Sequence, residues 1–416
     1  MPSVYVRREK GLGMRIFSIF FHPALNFTAV GGAEKRFIEI LKTWTAEGVD
    51  VTVVDPYPEL VAKRGVDCEL IEVQTPYRYS GKGLFSIYLE WILWMVKACF
   101  VCPSLIKRKD YDLILVPNHI LPGLVVAYLL RRVSGIPLCT VAHHLDFPYT
   151  DIPASLASTY RVYRRAHFTV PAAFTKALAF LVILAIIKRS EVCITVSNYT
   201  AKLLVRNGVK PSKVHVSGNG VDIGLIDQFE AARKSYDGVF VGRISRDKGV
   251  FDLVKIWKLI ILNRPEAKLL MIGTGPDSLK LRELTEKSNL ASHVVLRGSC
   301  DDSELYSLMK ASRVFAFPSM FEGWGLAVGE ALACGLPVAC YDIPALREIF
   351  GACRSVFFVP VGETEPFAET VKKILQDGNL DELETISKEY VKRFAWKKVA
   401  LKDMQVIKRL VRPRED

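Results

Sequence analysis

Acidic residues are in short supply: 44 Asp and Glu stand against 56 Lys and Arg, a formal net charge of +12 over 416 residues. That balance favours an anionic partner, such as a phosphorylated substrate, a membrane surface or nucleic acid. Nucleic acid is set aside, because no module interleaving aromatic and basic residues is visible. Cysteine is present but unpatterned. Nine are scattered along the chain, and the lone C-x-x-C, Cys99 and Cys102, has no second pair at zinc spacing. Cys139, Cys193, Cys334 and Cys340 sit in apolar runs, which predicts reduced, buried thiols in a cytoplasmic compartment. No short-period repeat or low-complexity segment occurs. The basic N-terminal residues lead into no apolar run with a small-residue cleavage site, so no signal peptide is expected. No G-x-G-x-x-G follows the first strand, where a dinucleotide enzyme needs it. A nicotinamide dehydrogenase is therefore disfavoured, although Asp55 could hold a ribose.

What the chain does have is enough apolar material for two cores: half of its residues are hydrophobic. Short apolar runs without strict alternation, the pattern of buried parallel strands, recur at Met14–Phe21, Val51–Val54, Leu113–Val116, Leu138–Val141 and Val192–Val196. Between the first two, a helix from about Ala33 places Phe37, Ile40, Leu41 and Trp44 on one face, and Gly48 ends it. The pattern restarts with Val239–Val241 and a helix bearing Leu253, Ile256, Trp257 and Ile260. It continues through Leu269–Ile272, Val294–Leu296, Val314–Phe317, Pro337–Cys340 and Val356–Val359. Two such series predict an α/β chain of two doubly wound domains, hinged near Gly218–Asp222.

Three constellations suit a diphosphate and a sugar. Gly31-Gly32 precede a helix, whose N-terminus favours an anion. Gly242-Arg243 and Lys248-Gly249 occupy a strand-to-helix loop, where a guanidinium and an ammonium can converge on a diphosphate and stabilise charge on a leaving group. Pro318-Ser319 leads to Glu322-Gly323-Trp324-Gly325-Leu326 and then Glu330, a glycine-rich loop running into a helix. Glu322 and Glu330 can accept from sugar and ribose hydroxyls.

These residues, with Gly31-Gly32-Ala33-Glu34, Gly273-Thr274-Gly275 and the spacing of Glu322 and Glu330, resemble glycosyltransferase family 4. The resemblance runs through nearly the whole chain and is most specific from Val239 to Val359. It implies a GT-B fold, two Rossmann-like domains facing across a cleft, with residues 1–217 on the acceptor side and 218–392 binding the nucleotide sugar. Residues 393–416 would form a last helix crossing back to the first domain. It also implies hexosyl-type transfer with retention of configuration, from a nucleotide diphosphate sugar, with no metal and no cofactor. Gly31 and Gly32 would contact the donor diphosphate through main-chain N–H groups, and Arg243 and Lys248 would neutralise it. Glu322, with the Gly323–Leu326 loop, would bind sugar hydroxyls and Glu330 the ribose. His143 would lie near the reacting sugar, with His144 an alternative one residue away. Two departures stand out: Gly218-Asn219-Gly220-Val221-Asp222 replaces a Pro-Asn-Gly-Val-Asp hinge, and Trp324 stands where Phe is usual. Two alternatives remain: a nucleotide-sugar epimerase, and a catalytically silent membrane-associated partner of another transferase.

Residues 168–187 are apolar apart from Lys176, two threonines and Pro171, but only Ala177–Ile187 is uninterrupted, too short to span a bilayer. Arg161, Arg164, Arg165, Lys188 and Arg189 bracket the run. A core helix and an interfacial helix both fit, and the second predicts a peripheral protein on an anionic cytoplasmic membrane face, acting on an acceptor glycan or lipid-linked sugar.

Overall fold

A computed structural model describes residues 13–22, 31–75, 84–145, 155–165, 169–230, 234–376 and 378–411. The chain divides into two compact units. Of the described residues, one unit contains those up to Gly218 together with those from Lys397 onward, and the other contains Asn219–Trp396.

The first unit opens with β1 (Arg15–Ile19), α1 (Gly32–Ala46), β2 (Asp50–Asp55), α2 (Glu59–Ala62) and β3 (Glu69–Glu72). It continues through α3 (Leu84–Leu105), β4 (Leu113–Val116), α4 (Leu121–Ser134) and β5 (Leu138–Ala142). Next come α5 (Leu156–Arg165), α6 (Val170–Arg189), β6 (Val192–Thr195), α7 (Asn198–Arg206) and β7 (Val214–Val216). All seven strands are parallel, in the order β3-β2-β1-β4-β5-β6-β7. Strand order reverses between β1 and β4, so the loops beyond their carboxyl ends form the crevice where such sheets bind ligands.

The second unit runs α8 (Ile223–Asp227), β8 (Tyr236–Val241), α9 (Val250–Ile261), β9 (Leu269–Ile272), α10 (Ser278–Lys287) and β10 (Val294–Gly298). It then runs α11 (Asp302–Lys310), β11 (Ser312–Phe317), α12 (Leu326–Ala333), β12 (Val338–Tyr341), α13 (Pro344–Phe350) and β13 (Val356–Val359). It closes with α14 (Thr364–Gln376) and α15 (Leu380–Val391), and α16 (Trp396–Lys408) enters the first unit. Its parallel sheet has the order β10-β9-β8-β11-β12-β13, with the switch between β8 and β11.

Every strand expected from the sequence is present, with no end displaced by more than three residues, and two are added. The added strands are edges or near-edges: β3 is Glu-Leu-Ile-Glu at one margin, and β7 is Val-His-Val at the other. Both are partly exposed, and neither carries the apolar run that marks the central strands. The cysteines in apolar runs, Cys139, Cys193, Cys334 and Cys340, are buried and free.

The terminal helix α16 is held to α1 by polar contacts as well as packing. Trp44 donates its indole N–H to the Ala400 carbonyl at 3.0 Å. Arg36 pairs with Asp403 at 2.7 Å, both side chains almost fully buried, and donates to Ser217 Oγ at 2.9 Å.

The apolar stretch expected from residue 168 becomes α6 from Val170; Phe168 and the Arg165 side chain lie outside the described residues. Neither expected location accounts for the whole of α6. Phe180, Leu184 and Ile187 enter a core cluster against β5 and β6, whereas Val170, Phe174, Leu178 and Val182 are exposed.

Candidate active site

In the second unit, three loops meet beyond the carboxyl ends of β8, β9 and β11, at the topological switch point. Two glycines permit the meeting. Gly249 has a φ of +69°, and a Cβ there would lie 1.9 Å from the Pro318 carbonyl oxygen of the β11 loop. Gly273, at φ +136°, would place a Cβ 2.0 Å from the Gly242 carbonyl. The same loops are tied by main-chain hydrogen bonds, Met320 N–H to the Asp247 carbonyl at 2.9 Å and Ile244 N–H to the Thr274 carbonyl at 2.9 Å.

On this frame, the charged residues named by the sequence come together. Lys248 donates to Glu322 Oε1 at 2.6 Å, and Ser319 Oγ donates to the same oxygen at 2.9 Å. Arg243, more exposed, donates to Asp247 Oδ2 at 3.2 Å and to Ser245 Oγ at 3.3 Å. Burial pushes the Asp247 carboxyl up, but the Arg243 charge, the Ser245 hydroxyl and Lys248 outweigh it and hold it below the usual carboxylate range. The result is a carboxylate in its charged form that pairs with Arg243, while the neighbouring Lys248 pairs with Glu322. Asp247 did not stand out in the sequence; its position between Arg243 and Lys248 was the available signal.

Glu330 lies in the first turns of α12, which begins after Gly325, and is nearly buried. It accepts from the Tyr306 hydroxyl of α11 at 3.2 Å. Nothing in the sequence linked Tyr306 to it, because the contact crosses 24 residues between two helices. Trp324 requires a narrower reading than the sequence suggested. Its side chain is buried, with ring centroids 5.2 Å from Phe350 and 5.1 Å from Phe394, both edge-on. The indole anchors the loop to α13 and the Phe394 turn, leaving the main chain of Gly323–Leu326 as what the loop can present to a ligand.

In the first unit, Gly31 and Gly32 are exposed at the start of the 15-residue α1. His143 follows β5 and is buried, its Nε2 donating to the Pro117 carbonyl beyond β4 at 2.8 Å. Burial, reinforced by the nearby positive charge of Arg36, pushes its pKa well down, so the ring is neutral. With Nε2 carrying the proton, Nδ1 is the acceptor nitrogen. His144 is more exposed and sets its ring against His119, centroids 4.8 Å apart. His119, absent from the sequence reading, thus joins both histidines at the carboxyl edge of β4 and β5. Among the described residues, no group of three or more His, Cys, Asp or Glu is arranged to hold a metal ion.

Two parallel-sheet units of this kind, one with a glycine-rich basic loop facing a carboxylate loop, define the GT-B class of glycosyltransferases. The fold agrees: sucrose-phosphate synthase from Thermosynechococcus elongatus superposes with a TM-score of 0.74 over 95% of this chain and 99% of its own, at 20% identity. Residues 30–225 match Glycosyltransferase Family 4, and residues 225–393 match Glycosyl transferases group 1. The chain belongs to glycosyltransferase family 4. It is similar to a 2-deoxystreptamine N-acetyl-D-glucosaminyltransferase of Streptomyces fradiae, 26% identical over 84% of this chain and 85% of that protein. It also resembles a GDP-mannose:cellobiosyl-diphosphopolyprenol alpha-mannosyltransferase of Xanthomonas oryzae pv. oryzae, 28% identical over 46% of this chain and about half (51%) of that protein.

Proposed function

We propose that this glycosyltransferase moves a hexose-type sugar, with retention of configuration, from a nucleotide diphosphate donor to a lipid-linked acceptor at the cytoplasmic face of a membrane. The observation that carries the reading is the convergence of Arg243, Lys248 and Glu322 on glycine-bearing loops at the switch point of the second sheet. Lys248 and Arg243 would neutralise the diphosphate and stabilise the charge that grows on it as the glycosidic bond to the sugar breaks. Glu322, released from Lys248 by the incoming phosphates, would accept from sugar hydroxyls. Glu330 would accept from the ribose. In the first unit, the main-chain N–H groups at the start of α1 supply a second anion-binding element, and His143 would serve the reacting sugar with a neutral ring. The relative named for a diphosphopolyprenol acceptor supports a lipid carrier here.

The test is incubation with a panel of nucleotide sugars, scored for released nucleotide and for glycoside formed on polyprenyl-phosphate-linked acceptors. One donor should turn over with a glycoside of the donor's own anomeric configuration, and turnover should persist in EDTA because Arg243 and Lys248 supply the positive charge. Inverted product, a free epimerised sugar, or complete loss in EDTA restored by Mg²⁺ would overturn the corresponding part of the reading.

A further inference from the structure

The helices of the first unit divide between the two faces of its sheet. Phe20 rests on Phe37 of α1, and Phe21 on Trp94 of α3, with ring centroids 4.7 and 4.8 Å apart. Adjacent residues of an extended chain point to opposite faces, so α1 and α3 cover opposite sides. Right-handed crossovers from β3 through β4 and β5 to β6 keep α3, α4 and α6 together on the second side, and α4 packs against both others.

The inner stripe of this layer is core: Trp94, Ala98 and Cys102 of α3 join Leu124, Ala127 and Leu130 of α4 in one cluster with β1 and β4. The outer stripe is apolar too. On α3, Ile92, Val96 and Phe100 recur every four residues, and Phe100 is 81% exposed. On α6, Val170, Phe174, Leu178 and Val182 recur at the same spacing over about 18 Å of helix. Between them, α4 adds Leu129 and Val133, the latter 74% exposed. Aqueous surfaces of monomeric proteins scatter such side chains singly, whereas a contiguous patch marks an interaction site.

Charge identifies the occupant. Lys97, Arg132, Arg161, Arg164, Lys188 and Arg189 are all exposed on these helices and their connections. The sequences of α3, α4, α5 and α6 contain one carboxylate, Glu90, and it is buried against the Tyr57 hydroxyl. A second copy of the chain would set cations against cations. A bilayer leaflet with anionic headgroups offers apolar depth and negative charge together. Spanning is disfavoured, though not for the shortness expected from Ala177–Ile187: α6 takes in the flanking residues and, like α3, is long and apolar enough, but each commits one side to the protein core.

We propose that the outer face of α3, α4 and α6 seats the first unit monotopically in an anionic leaflet, with Phe100, Val133 and Phe174 entering the lipid. The proposal deepens the membrane-borne acceptor reading and rests on it only for its purpose, not for its evidence.

The full chain is floated with vesicles of phosphatidylcholine alone or with roughly one-third phosphatidylglycerol, at low and high salt. Wild type should partition at least about tenfold more onto the anionic vesicles, less so at high salt. The variant Phe100→Glu/Val133→Glu/Phe174→Glu should lose at least about tenfold of that binding while keeping its melting temperature. Wild type that stays soluble at low salt, or a variant that floats equally well, would overturn the proposal. So would a wild-type dimer that the variant converts to monomer without vesicle binding by either. Should the triple variant unfold, Lys97→Gln/Arg132→Gln serves instead: reduced flotation supports the proposal and unchanged flotation overturns it. Flotation involves no catalysis, so its failure leaves the transfer reading standing, and absence of donor turnover leaves the docking face standing.

Discussion

Lys248 and Glu322, 74 residues apart in the sequence, form a 2.6 Å ion pair with both side chains largely withdrawn from solvent. The pair joins the loops after β8 and β11, so the ammonium expected to meet a diphosphate is held in place by the carboxylate expected to meet a sugar. Lys248→Ala should lower turnover by roughly 10²-fold or more, and it should also destabilise the unit, because it takes from the largely buried Glu322 carboxylate its ion-pair partner. The double variant Lys248→Met/Glu322→Gln should regain stability without regaining turnover. Donor turnover and chemical denaturation of wild type and the two variants check this; wild-type turnover in Lys248→Ala removes the residue from the site.

Gly249→Ala tests the close approach of the two loops. Gly378 has a similar φ, +66° against +69°, but open space around it. An alanine at Gly378 pays only the left-handed backbone cost of about 1–2 kcal/mol. At Gly249 the new Cβ also meets the Pro318 carbonyl, so the loss should exceed that by at least about 1 kcal/mol, with activity falling alongside. Equal losses for the two variants in urea titrations would show that the approach of Pro318 is not what requires glycine.

His143 predicts a pH dependence whose direction follows from burial. Its folded pKa lies well below the unfolded value of about 6.5. Below that value the unfolded chain binds a proton that the folded ring refuses, so stability is full above about pH 6.5 and declines as the pH falls. His143→Gln, unable to titrate, should flatten the thermal-stability profile between about pH 7 and pH 5. A profile as steep as wild type's would place the titrating group elsewhere.

Arg36 and Asp403 are paired inside the first unit, where α16 lies against α1. Removing either partner alone strands a buried charge, and Arg36→Ala or Asp403→Ala should each cost about 3–5 kcal/mol. Arg36→Met/Asp403→Leu should recover most of this, since an apolar pair of similar volume avoids the desolvation penalty. Melting curves for the single and double variants decide it; additive losses in the double variant would contradict a direct buried pair.

The central strands and the charged motif were legible in the sequence for the same reason: each is a local pattern with one physical cause. A strand covered on both faces must be apolar throughout, so β1, β2, β4, β5 and β6 announced themselves, as did β8, β9, β11, β12 and β13, and the shorter run Val294–Leu296 marked β10. A loop bearing Gly242, Arg243, Lys248 and Gly249 after such a strand carries its chemistry in its own residues. The edge strands β3 and β7 escaped because neither holds more than two consecutive apolar residues, whereas the edge strands β10 and β13 carry runs of three and four. The Lys248–Glu322 pairing, the Tyr306 hydroxyl on Glu330, and the inward turn of the Trp324 ring escaped because each partner is remote in sequence.

The α6 helix marks where sequence information ends. Its apolar character and the basic residues around it are written in the sequence, although its full length of 20 residues is not. Nor is it written there which side chains face the sheet. In a helix apolar on all sides, hydrophobic periodicity has no contrast, so Leu184 and Phe174 are indistinguishable by pattern. Only the placement of α6 over β5 and β6 and beside α4 sends Leu184 into the core and leaves Phe174 outside. Composition determined that this surface would be greasy and basic; tertiary packing decided which residues form it, because burial of one stripe is what exposes the other.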